Sequence, residues 1–284
     1  MKDFFVSTNG ISLHVVQEGV ESEEPVIMLH GYPEFWYGWR NQINFLAEKG
    51  YRVIVPDQRG FNLSDKPEDV SSYSIDELVK DVIGIIDWLG VDKAYLVGHD
   101  WGATVAWRAS LQYPERIKRM IVANVPHPAV MAANLNGNNL QQMSKSWYIF
   151  YYQLPDLAEK LCSKNNWEYL VNTLISTSRE GSFSPEDIEE YKKAWSQPGA
   201  ISGMLNWYRA FMQVKSQKLQ SQRVTVPTLL IWGEKDAFLG KEMAEPSIGL
   251  CDNGRLEFIE DATHWAQHDQ AEKVCHLIDS FFKI

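Results

Sequence analysis

Short runs of consecutive apolar residues recur at regular intervals over the first 125 residues of the chain. The runs at 25–30, 52–57, 94–98 and 120–124 have the length and continuity of strands that are buried on both faces of a parallel sheet. Helical segments separate them. A series of strands and helices in alternation predicts a parallel sheet that is covered by helices on both sides.

The clearest helix in this part of the chain lies between the second and third runs. Ser74 and Glu77 have the spacing of a capping box, which marks the start of a helix. Apolar residues then fall on one helical face. They are Leu78, Val82, Ile85, Ile86 and Leu89. Gly90 is the expected end of this helix.

The pattern changes at about Pro126. As far as Gln222 the chain lacks strand-like runs and is rich in aromatic residues and helical signals. One such signal is Ser184 followed by Pro185, a cap followed by a residue suited to the first helical position. We therefore expect residues 126–222 to form a helical cap, inserted into a larger unit.

Strand-like runs return after the insertion, at 226–233 and 255–259, and a terminal helix is expected at 270–282. Residues 1–125 and 223–284 thus form one predicted α/β core domain. The fold class expected is α/β, with a mostly parallel central sheet and a helical cap insertion.

Composition narrows the class of protein without identifying it. The chain has 284 residues, of which 45% are hydrophobic and 23% charged, as in ordinary globular proteins. No apolar run reaches the 18 or so residues that a membrane span needs. The net charge of −10 argues against a nucleic-acid partner. Monomer and homodimer remain equally open.

Cysteine usage and the N-terminal residues bear on the compartment. The three cysteines are widely spaced, which predicts neither a disulfide framework nor a zinc site. They are Cys162, Cys251 and Cys275. The N-terminal residues alternate between polar and apolar types and lack the apolar core of a signal peptide. We expect a cytoplasmic protein.

The carboxyl end of the third strand carries the first candidate chemistry, because ligands of α/β sheets bind at such ends. Residues 98–102 read Gly-His-Asp-Trp-Gly, the layout of the G-x-S-x-G nucleophile elbow with Asp100 in place of serine. Glycines allow the tight turn that this motif requires. The alternative is that Asp100 only caps the helix that follows.

Residues 30–33, His-Gly-Tyr-Pro, follow the first predicted strand. A backbone N–H at this place supplies half of an oxyanion hole in the elbow arrangement, and the residue after the nucleophile supplies the other half. The predicted donors are the backbone N–H groups of Tyr32 and Trp101. The alternative for residues 30–33 is a plain turn.

The last two strands lead to Asp236 and His264. The order Asp100, Asp236, His264 is the nucleophile, acid, histidine order of an elbow-type triad. His264 and His268 have the spacing of a metal pair, but the chain lacks the glutamate and the third ligand of a known metal motif. Neither a metal nor a cofactor is expected.

These motifs resemble those of the α/β-hydrolase superfamily, and in combination those of the soluble epoxide hydrolases, over essentially the whole chain. The segments 148–155 and 206–209 resemble the stretches that bear the two cap tyrosines of that family, which implies Tyr148 and Tyr208 as catalytic residues. Tyr151 and Tyr152 are rivals for the first position.

Aromatic clusters suggest either core packing or the wall of a pocket for an apolar ligand. Phe35, Trp101 and Tyr152 are the pocket residues we expect.

The presence of aspartate at the position of the motif's serine indicates the class of reaction. A carboxylate is ionised at neutral pH and can displace a leaving group at saturated carbon without activation. The resulting ester on Asp100 is then hydrolysed by water that His264 activates, with Asp236 orienting the histidine. An epoxide opens to an alkoxide that needs proton donors, which Tyr148 and Tyr208 would supply.

The predicted function is hydrolysis of a small apolar epoxide to a vicinal diol. The alternatives are a haloalkane or haloacid dehalogenase with the same triad, and a non-catalytic ligand receptor on the same fold. Haloalkane dehalogenases usually carry asparagine where this chain has Tyr32, and fluoroacetate dehalogenases place arginine beside the nucleophile, where this chain has Trp101.

Overall fold

The computed structural model describes residues 1–21, 23–136 and 139–284. Within these ranges one sheet of eight strands forms the centre of the molecule. The strands are β1 (Lys2–Thr8), β2 (Ile11–Glu18), β3 (Glu24–Leu29), β4 (Tyr51–Pro56), β5 (Ala94–His99), β6 (Ile117–Ala123), β7 (Thr228–Gly233) and β8 (Gly254–Ile259). Their order across the sheet is β1-β2-β4-β3-β5-β6-β7-β8.

The six strands from β3 to β8 pair in parallel and coincide with the six apolar runs of the sequence. The strands β1 and β2 were not predicted; they form an antiparallel hairpin, and β2 continues antiparallel to β4. The turn between them is Asn9-Gly10, with positive φ at both residues. Such a turn is itself a hairpin signal.

Helices cover both faces of the sheet, as the sequence predicts. The flanking helices are α1 (Arg40–Glu48), α2 (Ile75–Trp88) and α3 (Trp101–Gln112), and, after β7, α10 (Ala244–Ile248), α11 (Ala266–Asp269) and α12 (Ala271–Phe282). Apolar side chains of α1 and α12 share one core cluster with one sheet face, and those of α2 and α3 share the other.

The start of α2 uses half of the predicted capping box. The Ser74 hydroxyl accepts a hydrogen bond from the backbone N–H of Glu77 at 3.4 Å. The Glu77 carboxylate instead pairs with Lys80 and accepts from Asn9 of the hairpin turn. Glu77 thus ties the first turn of α2 to the unpredicted hairpin.

Six helices lie between β6 and β7. They are α4 (Pro128–Asn136), α5 (Leu140–Lys145), α6 (Trp147–Tyr151), α7 (Leu157–Thr177), α8 (Pro185–Trp195) and α9 (Ala200–Gln213), counted over the described residues. Ser184 and Asp187 form a complete capping box at α8. The helix α7 is interrupted at residues 164–167, where the backbone leaves helical geometry.

These helices contact the loops that follow the parallel strands. The indole N–H of Trp195 donates to the carbonyl of Pro33 after β3, and that of Trp207 donates to the carbonyl of Arg59 after β4. The helices therefore lie above the carboxyl ends of the strands, where a ligand site is expected. No helix in the described part of the chain is both long and apolar enough to cross a bilayer.

Candidate active site

Asp100 lies at the tip of a strained turn between β5 and α3. Its backbone has φ 49° and ψ −122°, a conformation that few non-glycine residues adopt. A Cβ at Gly98 would collide with backbone atoms of Gly102, and one at Gly31 would collide with the Asp100 side chain. The glycines of the motif are required because the turn is closely packed on every side.

The Asp100 side chain makes no capping hydrogen bond to α3. Instead its Oδ1 accepts from the backbone N–H of Tyr32 at 2.7 Å. Trp101 is the first residue of α3, where backbone N–H groups have no partner within the helix. The geometry thus contradicts the reading of Asp100 as a simple helix cap.

His264 lies between two carboxylates. Its Nδ1 is 2.8 Å from Oδ2 of Asp236, and its Nε2 is 3.5 Å from Oδ2 of Asp100. The other oxygen of Asp236 accepts from the backbone N–H groups of Phe238 and Leu239 at 2.7 and 2.9 Å. Asp236 is therefore held on both oxygens, and it orients the imidazole towards Asp100.

The two carboxylates decide the protonation of His264. Burial by itself disfavours the charged imidazolium, but Asp236 and Asp100 outweigh it and raise the pKa of His264 to about 10. For Asp100, burial raises the pKa, yet the hydrogen bond and charge of His264 bring it below its usual value. Asp100 and His264 form an ion pair in the unreacted protein.

A cavity opens above Asp100 and divides into two arms. We name the α7 arm, about 220 Å³, after the helix that lines one side of it, opposite Trp265. The α4 arm, about 140 Å³, runs beneath α4 between Trp101 and Leu239. Both arms share three residues, which are Asp100, Tyr148 and Tyr208.

Tyr148 and Tyr208 come from α6 and α9 and lie with their ring centroids 5.9 Å apart. Burial raises the pKa of both phenols, and the Asp100 carboxylate adds to this effect. Both hydroxyl groups therefore stay protonated at neutral pH. The structure brings them to the same cavity as Asp100, although they are 60 residues apart.

The rival tyrosines differ in position. Tyr151 lines neither arm, and its hydroxyl donates to the carbonyl of Leu157 at 3.4 Å. Tyr152 lines the α7 arm, and its hydroxyl is hydrogen-bonded to those of Tyr32 and Tyr169, at 3.0 and 3.1 Å. The Tyr152 hydroxyl is therefore engaged with its neighbours.

Of the expected pocket residues, Trp101 lines the α4 arm and Tyr152 the α7 arm. The expectation for Phe35 is wrong. Its ring is buried against Tyr37, stacked at 5.8 Å, and Tyr191, in an edge contact at 5.4 Å. The residue lies where the loop after β3 packs under α8, and it contributes to the core there.

Asn124, which the sequence analysis did not select, belongs to the same site. It follows β6 with φ 56°, and its side-chain amide donates to Oδ2 of Asp236 at 3.0 Å and to the carbonyl of Thr263 at 3.2 Å. The Oδ1 atom of the Asn124 side chain accepts from the backbone N–H of Gly233. Asn124 thus joins the loops that carry the acid and the histidine. Its position at the end of an apolar strand was the available signal.

A second buried group, also missed, lies behind His264. The Glu34 carboxylate is fully buried and accepts from Tyr191, Gln267 and His268, with His99 at 3.2 Å. The other nitrogen of His99 is 2.8 Å from the carbonyl of His264. His268 therefore pairs with Glu34, and His264 precedes α11, so the two histidines do not share a helix. We call these residues the Glu34 cluster.

Comparison with known proteins agrees with this geometry. Residues 24–271 match the family model of the alpha/beta hydrolase fold. The AB hydrolase superfamily protein YfhM of Bacillus subtilis is 45% identical over 98% of this chain and 97% of its own length. The chain belongs to the α/β-hydrolase family. The predicted fold class is thereby confirmed, and the protein is a hydrolase.

Two further members of the α/β-hydrolase family to which this chain is similar are epoxide hydrolases. Epoxide hydrolase 1 of Caenorhabditis elegans is 39% identical over 98% of this chain and 69% of its own length. The crystal structure of an epoxide hydrolase from Bacillus megaterium, in complex with an inhibitor, superposes with a TM-score of 0.90 at 28% identity, covering 99% of this chain and all of that one. The resemblance inferred from the motifs is confirmed.

Proposed function

We propose that this α/β-hydrolase converts epoxides to vicinal diols through a covalent ester on Asp100. The observation that carries the proposal is the meeting of a carboxylate nucleophile with two phenols in one cavity. The names of the relatives support the same reaction. A departing halide needs no proton, so a dehalogenase would have no use for the phenols of Tyr148 and Tyr208.

In the first half-reaction one Asp100 oxygen attacks an epoxide carbon, and the bond from that carbon to the epoxide oxygen breaks. The electron pair stays on the oxygen, which takes a proton from Tyr148 or Tyr208 and keeps a hydrogen bond to the other. Their raised pKa values keep both phenols protonated until substrate binds.

Esterification also prepares the second half-reaction. It removes the negative charge of Asp100, one of the two charges that raise the pKa of His264. The imidazolium then releases its proton, and the tyrosinate recovers one, so that the proton count balances. His264 becomes a general base only after the ester has formed.

In the second half-reaction the neutral His264 takes a proton from water, and the hydroxide attacks the carbonyl carbon of the Asp100 ester. The backbone N–H groups of Tyr32 and Trp101 hold the oxyanion, each worth about 3–4 kcal/mol in comparable sites. The ester bond then breaks, and the departing alkoxide takes the proton from His264 and leaves as the diol. The Asp100 carboxyl, which retains one oxygen from water, gives its remaining proton to His264, and this restores the ion pair.

In this proposal residues 126–222 act as the cap domain, and residues 1–125 and 223–284 as the catalytic core. The division is supported by the origin of the site residues. Asp100, Asp236 and His264 follow strands of the sheet, while the two phenols come from α6 and α9. Catalysis then requires both parts to be in contact.

Single turnover in water enriched in oxygen-18 tests the covalent step. Protein in excess over a styrene-type epoxide should release diol that is almost free of label, and the peptide that contains Asp100 should gain one labelled oxygen. Label in the diol of the first turnover would mean direct attack by water. Absence of diol, together with tight binding of unreacted epoxide, would favour a receptor.

The phenols are tested by Tyr148→Phe and Tyr208→Phe, with Tyr151→Phe as the matched control on the same helix as Tyr148. Each of the first two should slow alkylation by about 10–200-fold, because a hydrogen bond to developing charge is worth about 1.5–3 kcal/mol. The double variant should be slower still, with hydrolysis of the ester little changed. Wild-type alkylation rates in both single variants would refute the assignment.

A further inference from the structure

The two arms of the cavity differ in the side chains beyond the three that they share, and this difference bears on the substrate. Beyond the shared residues the α4 arm is lined by Thr104 and otherwise by apolar side chains, among them Val125, Pro126, Met131, Ile149 and Phe211. An apolar cavity of about 150 Å³ holds one benzene ring. At about 140 Å³, the α4 arm therefore has room for a group about the size of a phenyl ring.

The α7 arm has one polar wall. Four side chains from the second part of α7 form it, as two adjacent pairs one helical turn apart, so that they share one broad helical face. They are Asn172, Thr173, Ser176 and Thr177. Asn172 and Ser176 are exposed, so this arm opens to solvent.

The hydroxyl groups of this wall are already committed as donors. Thr173 donates to the carbonyl of Tyr169 at 2.9 Å, and Ser176 donates to that of Asn172 at 2.6 Å. Thr177 donates within α7 as well, and its oxygen accepts from the indole N–H of Trp265 at 2.8 Å. What Thr173 and Ser176 still offer a ligand is therefore the lone pairs of their oxygens.

From these contacts we infer that the substrate is an epoxide with two unlike substituents. The α4 arm takes an apolar group of about phenyl size, and the α7 arm takes a substituent that ends in a hydrogen-bond donor, a hydroxyl or an amide N–H. The oxirane lies between them, against Asp100. This inference rests on the proposed function and adds the substrate class.

Matched substrates test the α7 arm. The probes are trans-1-phenyl-1,2-epoxyalkanes with a terminal hydroxyl on one to four methylenes, and their methyl ethers, which lack the donor. For the best chain length the wild type should favour the alcohol by about 3- to 10-fold in kcat/KM, the worth of a neutral hydrogen bond. The preference should shrink in Thr173→Val or in Ser176→Ala.

Ser163→Ala is the control, because Ser163 makes the same kind of bond within α7 but lies exposed and outside the cavity. It should retain the wild-type preference. A far-UV circular dichroism spectrum and a urea midpoint like those of the wild type show that Thr173→Val is folded. Equal rates for alcohol and ether in the wild type, or a preference that both variants keep, would overturn the inference.

The α4 arm is tested by Ala132→Trp, a change at an exposed position on its wall. It should lower kcat/KM for the phenyl substrates by about tenfold or more, and lower it much less for analogues with methyl in place of phenyl. An equal loss for both series would refute the apolar subsite. Diol formation without either selectivity would overturn this inference alone, whereas absence of diol from every epoxide would overturn the proposed function with it.

Discussion

Two histidines four residues apart, each beside a buried carboxylate, differ in their protonation. His264 faces Asp236 and Asp100, and its pKa is raised to about 10. His268 lies 2.6 Å from Glu34, but burial lowers its pKa and nearby Arg40 lowers it further. One histidine is a cation that can lose its proton during a reaction, and the other is neutral.

Hydrogen bonds show which ring nitrogen of the neutral His268 carries the hydrogen. An N–H of Arg40 donates to its Nδ1 at 3.0 Å, so Nε2 carries the hydrogen and donates to Glu34. His264 has no such donor among its described contacts; both of its nitrogens face carboxylates. The number of anions around the ring, and the presence of a competing cation, decide which histidine holds a second proton at neutral pH.

The largest expected effect separates the two histidines by activity. His264→Gln should slow turnover by about 100- to 10,000-fold, because the general base is lost. The ester should accumulate, giving the mass of protein plus substrate. His268→Gln should form diol at close to the wild-type rate. A folded His264→Gln protein that is inactive and unmodified would assign His264 to the first half-reaction instead.

The next effect concerns stability. Glu34→Gln puts an amide N–H against groups that donate to the carboxylate, and should lower the free energy of unfolding by about 3 kcal/mol. Urea unfolding measures the loss. The control is Glu190→Gln on the surface of α8, where only an exposed pair with Lys193 is removed and the change should stay within about 0.5 kcal/mol. Equal losses would show that the Glu34 cluster is not a source of stability.

The third expected effect tests whether the charge of Asp100 raises the pKa of His264. Asp100→Asn removes one of the two anions beside His264 and should lower its pKa by about 1–3 pH units, while that of His268 stays unchanged. Titration followed by NMR of the histidine ring nitrogens measures both values in one sample. An unchanged pKa of His264 would contradict the proposed switch from ion pair to general base.

The last expected effect is a slope in the dependence of stability on pH. Between about pH 6.5 and 10 the native state holds a proton on His264 that the unfolded chain has lost, so stability falls as pH rises, by up to about 1.4 kcal/mol per pH unit. Below pH 6.5 the unfolded chain binds a proton that neutral His268 does not, so stability rises with pH there.

Together, the two histidines predict that the contribution they make to folding stability is greatest near pH 6.5. Urea unfolding at a series of pH values should show the alkaline slope flatten in His264→Gln and the acid slope flatten in His268→Gln. Identical pH profiles for wild type and both variants would show that neither histidine contributes.

The sequence predicts some of these features and not others, for physical reasons. Strands buried on both faces read as continuous apolar runs, so β3 to β7 were recognisable, and the partly exposed β8 was recognisable from its apolar residues. In the hairpin, β1 is largely exposed, and β2 carries polar residues although it is largely buried, so neither reads as an apolar run. Asp100, Asp236 and His264 each follow a predicted strand, which makes them recognisable from order alone.

Glu34 lacked a comparable signal. A glutamate after Pro33 looks like an ordinary loop charge, and the groups that bury it come from β5, α8 and α11. The interruption of α7 at residues 164–167, by contrast, has a local signal, because Asn165 and Asn166 there have φ of 51° and 57°, a region that asparagine tolerates better than most residues. Single-residue patterns do not report contacts between distant segments.

The packing of the elbow has a consequence for the evolutionary history of this site. Residues 31, 98 and 102 accept only glycine, because any side chain there would meet the backbone or Asp100 itself. Position 100 accepts a smaller residue without any such collision, and the same turn carries serine in the G-x-S-x-G form. Replacement of this one residue would leave His264, Asp236 and the backbone N–H groups of Tyr32 and Trp101 in place. We therefore expect related proteins with this turn to change between acyl transfer and alkyl transfer by substitution of the residue at position 100 alone, with glycine retained at positions 31, 98 and 102.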